Sequence, residues 1–280
     1  LGEYLESTAE VGVRDTFYLI EEFGDADWRG NDTENRFLVD LETEIGTTMM
    51  RNFDMQLGSV HSWRHTFRPY FNYHFIPDVS QTDLPRFDRV DRIDDVNLLT
   101  YGIDNFFKIF GTKSGRKYDR EYTFIKIKQG YDLRDEASDE PLTPVNIEIG
   151  HQPLTNLRFL YETDIDVYGE GAIAYSLEGA YFNSRGDRVA FDYRYNKPDD
   201  INAISADLRV RLLYNLLAAY RLERAIGTST TVEEEIALVY QPSCWSVELS
   251  SYHTPGSRQY MVTFRLANIG HPFGFDLPGI

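Results

Sequence analysis

The chain has 280 residues, a formal net charge of −17 and 14% aromatic residues, enough material for one large domain or two ordinary ones. An acidic surface repels phosphate backbones, which argues against nucleic acid as a partner. No apolar run approaches the roughly 18–20 residues of a membrane-spanning helix; the longest, "LLYNLLAAY" (Leu212 to Tyr220), carries an Asn.

The chain opens on Leu1 with no signal-peptide pattern, and it is expected to be a mature protein or, in preference, an excised piece of a longer one. From there the governing pattern is alternation with period 2, the mark of a strand with two unlike faces. Phe37, Val39, Leu41 and Ile45 oppose Asp40, Glu42 and Glu44. "HSWRH" sets His61 and His65 four apart, but on a strand that spacing is about 13 Å, too far for one metal. They are read as polar residues at the start of a strand. "TFRPYFNYHFIP" (Thr66 to Pro77) is long enough to cross a bilayer at a tilt. The following "RFDRVDRIDDVN" (Arg86 to Asn97) lacks the central Gly and closing Glu of an EF-hand and reads as a solvated loop of local Arg–Asp pairs.

"GTKSGRK" (Gly111 to Lys117) has the wrong spacing for a phosphate loop and reads as a hairpin turn between "YGIDNFFKIF" and "REYTFIKIK". Alternation resumes with Val189, Phe191, Tyr193 and Tyr195 against Arg188, Asp192 and Arg194. It continues with Leu208, Val210 and Leu212 against Asp207, Arg209 and Arg211. The arginines would either line a polar face or pair with neighbouring acids. Trp245, Val247 and Leu249 oppose Cys244, Ser246, Glu248 and Ser250, and Tyr260, Val262, Phe264 and Leu266 oppose Gln259, Met261, Thr263 and Arg265. Turns are expected at "NSRGD" (Asn183 to Asp187), "NKPDD" (Asn196 to Asp200), "GTST" (Gly227 to Thr230) and "TPGS" (Thr254 to Ser257). The rules yield about fourteen strands. No Pro/Ser-rich linker divides them, so a single domain over 1–280 is expected.

Such a pattern suits a soluble sandwich or propeller, with an apolar core, or a transmembrane barrel, with apolar side chains in lipid. Strand length and aromatic strand ends favour the barrel. No G-x-S-x-G, H-E-x-x-H or C-x-x-C is present, and nothing nominates a nucleophile with its base. The expectation is a non-enzyme with no metal and no cofactor. Cys244 is the only cysteine. It is a small buried residue, a reactive thiol, or half of a disulfide completed elsewhere; its polar-face parity favours the last.

Two stretches carry a family resemblance. From Phe67 to Asn105 there is a Pro-x-x-x-Tyr strand (Pro69, Tyr73), then Pro77, and a loop holding Gln81, Pro85, Asp88 and Asp91. Asn97 and Gly102 follow on the next strand. This resembles the mid-barrel segment of the LptD family of outer-membrane lipopolysaccharide-assembly proteins. "ALVYQPSCWSVELS" (Ala237 to Ser250) resembles its cysteine-bearing penultimate strand, and "VTFRLANIG" (Val262 to Gly270) its closing strand; "RVAFDYRYNKP" (Arg188 to Pro198) also fits. The resemblance implies an all-β, antiparallel transmembrane β-barrel of about 26 strands, of which this chain is the C-terminal part. The periplasmic jellyroll and first barrel strands would lie outside it. It implies localisation in the bacterial outer membrane, an LptE-like plug lipoprotein, periplasmic lipopolysaccharide-bridge proteins as partners, and lipopolysaccharide as cargo. Cargo would leave sideways between the first and last strands, with Arg258, Tyr260, Val262, Phe264 and Leu266 on one lip. Cys244 would pair with a cysteine of the missing N-terminal domain; Trp245 occupies the second position of the family's cysteine pair, so one bond is expected. The alternative is a general diffusion porin or uptake barrel, and a third, an outer-membrane enzyme, has no catalytic constellation behind it.

Overall fold

Successive side chains leave a pleated strand on opposite sides, so alternation in sequence becomes two chemically distinct faces. The computed structural model describes residues 4–19, 33–82, 84, 92–137, 139–228 and 230–266. Among them run fifteen strands. They are β1 (Glu6–Leu19), β2 (Thr33–Gly46), β3 (Met49–Leu57), β4 (Val60–Ile76), β5 (Val96–Lys113), β6 (Arg116–Asp132), β7 (Val145–Leu154) and β8 (Leu157–Asp166). Then come β9 (Gly171–Phe182), β10 (Arg188–Asn196), β11 (Ile201–Leu213), β12 (Leu216–Ala225), β13 (Thr230–Tyr240), β14 (Trp245–Thr254) and β15 (Ser257–Leu266). One short 3₁₀ turn, Asp135–Ala137, is the only helical element among the described residues.

The chain forms two compact units, Leu1–Ile147 with Ile165–Gly171, and Glu148–Asp164 with Ala172–Ile280. In the first, the strands pair antiparallel in the order β1-β2-β4-β5-β6, with β3 also on β4. β2 and β3 are two halves of one strand. Gly46 lies opposite Tyr70 and Met49 opposite Phe67, and the break at Thr47 and Thr48 falls against Pro69. Proline has no N–H to donate, so the ladder cannot run evenly past it; only its carbonyl takes part, accepting from the Thr47 N–H at 3.2 Å. This split is why fifteen strands stand where the sequence leads one to expect about fourteen.

The connections of this unit are unequal. Residues 20–32, 77–95 and 133–144 join strands at one end, whereas Gly58–Ser59 and Ser114–Gly115 suffice at the other. Ser114 and Gly115 both have positive φ (51° and 76°), the geometry of a tight hairpin whose twist matches the strands. "GTKSGRK" is thus the expected turn. In the second unit β9 to β15 pair each with the next in sequence, and the turns fall at the expected Asn183–Asp187, Lys197–Asp200 and Pro255–Gly256.

The burial is inverted relative to a soluble domain. Among the described residues the buried apolar side chains are Tyr18, Leu38, Leu84, Ala203 and Ala237. Buried beside them in comparable number are Arg36, Thr163, Ser246, Glu248 and Ser250. On β14 the alternation is explicit: Ser246, Glu248 and Ser250 are 8, 2 and 8% exposed, while Leu249 between them is 50% exposed. On β4 one face carries Ser62, Arg64, Thr66, Arg68, Tyr70, Asn72 and His74. The other carries Trp63, His65, Phe67, Pro69, Phe71, Tyr73 and Phe75. Apolar side chains turned outward over polar ones turned inward make sense only if the outer solvent is lipid. The chain is therefore all-β and antiparallel, with the two-faced strands of a transmembrane barrel.

Close packing within the sheet uses glycine opposite an aromatic ring. Gly102 lies directly across from Tyr70, Gly111 across from Tyr118, and Gly179 across from Phe191. A Cβ on Gly179 would come within 2.2 Å of the Phe191 ring, and one on Gly102 within 2.7 Å of Tyr70. The ring covers backbone that would otherwise be bare in the strand. Gly179→Val should therefore cost about 1–3 kcal/mol through overpacking, seen as loss of the folded, heat-modifiable band on electrophoresis. Gly227→Ala, where an added Cβ meets nothing within 4 Å, should leave that band intact.

The β9–β10 turn is held by Asp187. Its carboxylate accepts the Arg211 N–H at 2.6 Å and the Asn183 side-chain amide at 2.8 Å. The Arg211 backbone bond, then Asn183, hold its pKa below the usual aspartate value. A depressed pKa means that the contribution is complete above the ordinary value near 3.9 and lost only as pH falls through the lower folded one. Hydrogen exchange at the Arg211 amide should accordingly stay slow on mild acidification and quicken only in stronger acid. An unchanged rate across that range would contradict this role.

Candidate functional site

The motif from Phe67 to Asn105 becomes a set of contacts that tie a long connection down onto the strands. Pro69 and Tyr73 lie on β4, Pro77 just after it, Gln81 in the connection, and Asn97 and Gly102 on β5. The Gln81 side chain grips Ile93 from both sides: Nε2 donates to its carbonyl at 2.7 Å, and Oε1 accepts its N–H at 3.2 Å. A primary amide has one donor edge and one acceptor edge, so it can replace a missing strand partner in this way. The same Oε1 accepts from Nη1 of Arg36 at 3.1 Å. Arg36 sits on β2 and is 6% exposed, and Leu84 in the connection is also buried. Tyr73 donates to Asn97 at 3.0 Å, and the Asn97 carbonyl accepts the Leu133 N–H at 2.7 Å. Gln81 and Asn97 thus secure neighbouring connections at the same end of the unit. Gly102 serves as the bed for the Tyr70 ring. Pro85, Asp88 and Asp91 lie outside the described residues.

Below this end, the polar face of the first unit is a ladder of charge. Asp40 meets His74 at 3.0 Å, Glu42 accepts from Asn72 at 2.8 Å, and Arg68 contacts Glu44, Glu6 (3.6 Å) and Asp104 (3.8 Å). In the second unit Arg188 and Arg221 flank Asp207 at 3.8 and 3.9 Å, and Arg221 also reaches Glu235 at 3.8 Å. Arg194 meets Asp192 at 2.7 Å and Glu223 at 3.3 Å. The Arg188 and Arg194 side chains pair with neighbouring acids while lining the polar face, so both roles open at the sequence level are filled together. Arg211 contributes its backbone N–H to Asp187. Glu248, 2% exposed, is matched by Arg265 of β15 at 2.9 Å.

His61 and His65 are not brought together. His65 bonds Asn105 at 3.0 Å and stacks on Phe107 at 4.6 Å, and His61 is exposed. Among the described residues no cluster of His, Cys, Asp or Glu could hold a metal ion.

β15 pairs with β14 from Trp245↔Leu266 to Thr254↔Ser257. Among the described residues its other edge has no partner strand. Arg258, Tyr260, Val262, Phe264 and Leu266 share one face, and the last four are 75, 71, 60 and 49% exposed. Cys244 requires a correction. The alternation places it on β14, but the strand begins at Trp245, and Cys244 ends the connection from β13. The Pro242-Ser243 stretch interrupts the ladder, so strand parity does not fix its direction. Its thiol is exposed and free in this chain. Beside it, Trp245 is set between Tyr240 (5.6 Å) and Phe264 (6.0 Å), an aromatic band across three strands.

Sequence reading named Gln81 without its buried partner Arg36, 45 positions away, and it passed over Glu248 as one polar residue among several. Arg36 lies on the polar-parity face of β2 with Asp40, Glu42 and Glu44, so nothing in the alternation marked it out. A family model for LptD, described as LPS transport system D, matches residues 2–226. Among curated proteins nothing matches. Solved structures with a similar course include two engineered variants of the porin of Rhodopseudomonas blastica. For one, 9% of residues are identical, with a TM-score of 0.33 over 93% of this chain and 98% of that one. For the other, a triple mutant, the values are 9%, 0.32, 93% and 98%. Superpositions that loose carry no argument. The family model alone covers most of the chain, and with it the chain belongs to the LptD family.

Proposed function

We propose that this chain is the C-terminal part of an outer-membrane barrel that transports lipopolysaccharide, and that β15 forms one lip of a lateral opening through which the cargo leaves. The observation that carries the reading is the state of β15: ten residues paired on one edge, an unpaired other edge among the described residues, and an outward face of Tyr260, Val262, Phe264 and Leu266. Bare N–H and C=O groups are costly in hydrocarbon, so a second strand must close that edge. In the family it is the barrel's first strand, which would come from outside this chain. Such a seam is held by a ladder that can open and re-form. Lipopolysaccharide needs both a polar path for sugars and phosphates and an apolar one for acyl chains. A seam between the polar and apolar faces of one sheet offers both together, and no catalytic step is required.

Cys244 supports the same arrangement. An exposed thiol next to an interfacial tryptophan suits a disulfide to the N-terminal periplasmic domain that delivers the cargo. On this reading the Gln241–Cys244 end of the second unit faces the periplasm and the Pro255–Gly256 turn faces outward. An LptE-like plug would fill the polar interior, and periplasmic bridge proteins would engage through the missing domain.

Two outcomes are expected of the full-length protein. A disulfide engineered between Val262→Cys and the facing residue of the first strand should stop lipopolysaccharide reaching the cell surface, with recovery on reduction; undiminished export with the seam locked would overturn the lateral opening. Non-reducing electrophoresis should show a mobility shift that Cys244→Ser abolishes, and rapid alkylation of Cys244 in the mature wild-type protein would refute the bond.

A further inference from the structure

One row of acidic and basic side chains interrupts the largely apolar outer face of the last three strands. Glu234 on β13 lies directly across from His253 on β14, and His253 directly across from Arg258 on β15. All three project from the apolar side. Glu234 shares its face with Ile236, Leu238 and Tyr240, His253 with Leu249 and Trp245, and Arg258 with Tyr260, Val262, Phe264 and Leu266. These companions are 37–75% exposed, so the row belongs to the membrane-facing surface and not to the polar interior. Glu234 accepts a hydrogen bond from the Tyr220 hydroxyl at 3.1 Å, and its other oxygen is 3.9 Å from Nδ1 of His253. Arg258 is exposed and has no ion pair among the described residues.

The depth of the row follows from strand geometry. From Trp245, in the aromatic band at one end, to His253 is eight steps, about 27 Å along the strand at a rise near 3.4 Å. At a tilt of about 35–45° that is roughly 20 Å along the membrane normal, close to the full height of an apolar band of about 25 Å. The row therefore sits at the second interface, one residue from the Pro255–Gly256 turn. Ionic side chains facing lipid are tolerated there and not at the midplane.

We infer that Arg258 and His253 form a contact site for the phosphate-bearing headgroup of a lipid whose acyl chains lie on Leu249, Val262 and their neighbours. This rests on the barrel reading above and adds a binding site to its lip. A guanidinium presents paired donors that match phosphate oxygens, and Arg258 has no carboxylate partner among the described residues. Glu234 stands 3.9 Å from the imidazole, on the strand opposite the one that carries Arg258. Tyr220 and Tyr260 flank the row as interfacial aromatics do.

The test uses the full-length protein reconstituted in phosphatidylcholine bilayers doped with phosphatidylglycerol or with lipid A, and native mass spectrometry of the lipids it retains. The wild type should retain the anionic lipids in preference to phosphatidylcholine. Arg258→Ala should lower that retention roughly threefold or more, the loss of one charge-assisted contact, and Arg258→Lys should restore part of it. Heat-modifiable mobility reports whether each variant is folded, and Arg258→Gln replaces the alanine variant if it is not. Inorganic phosphate should leave retention unchanged; displacement by it would mark a free-anion site and overturn the headgroup assignment. Equal retention by wild type and the charge-removing variant would also overturn it, and the barrel reading would stand. Failure of the wild type to carry lipopolysaccharide to the surface would instead overturn that reading.

Discussion

Every other feature of this protein depends on one requirement: a backbone that meets hydrocarbon must satisfy its own hydrogen bonds. Strand pairing with each neighbour does this, and it leaves the side chains free to be apolar on the lipid side and polar on the other. It also forces exceptions to be handled locally. Pro69 cannot donate, so its partner strand is split into β2 and β3 and the Thr47 N–H takes the remaining carbonyl. Gly102, Gly111 and Gly179 are covered by Tyr70, Tyr118 and Phe191 instead of being left bare.

The same requirement moves the polar chemistry inward. A buried carboxylate such as Glu248 is expensive unless it is paired and hydrogen-bonded, and Arg265 sits against it with Ser246 and Ser250 as flanking residues. This pair joins β14 to β15 on the polar face, while Trp245 against Phe264 joins them on the apolar face. The last strand is therefore fixed on one edge by backbone, charge and aromatic contact. On the proposed reading the opening lies on its other edge. A rigid inner neighbour and a replaceable outer one is the asymmetry that the proposed lateral opening would need.

Much of this was legible in the sequence because period 2 leaves little ambiguity. The turns at "NSRGD", "NKPDD" and "TPGS", the two faces of β4 and the polar face of β14 all follow from alternation and turn residues. What was not legible depends on contacts distant in sequence. Nothing local says that Gln81 will hold Arg36, or that a proline on β4 will divide the strand before it. The strand parity given to Cys244 failed for the opposite reason. Alternation was carried one residue too far, past the Pro242-Ser243 stretch that delays the start of β14. The motif residues Pro69, Gln81, Asn97 and Gly102 then acquire separate physical duties: a ladder break, a loop tie, a second loop tie and a ring bed.

The charge of −17 opposes the anionic cargo of the proposed reading. Part of the acid on the polar face is paired locally. On the polar face the acids Asp40, Glu44, Asp104, Asp207, Glu223, Glu235 and Glu248 stand against His74, Arg68, Arg188, Arg194, Arg221 and Arg265. Each Arg–carboxylate pair sums to zero and adds only a dipole, so the net −17 resides in the acids beyond these pairs, and salt screening over about 8–10 Å limits its reach. On the proposed reading, a phosphate passing along such a wall would meet both donors and acceptors, although Asp40, Glu42 and Glu44 follow one another on one face of β2. Tight binding to either sign would hold the cargo in place. A polar surface that is balanced locally, though acidic in sum, suits passage better than a basic one.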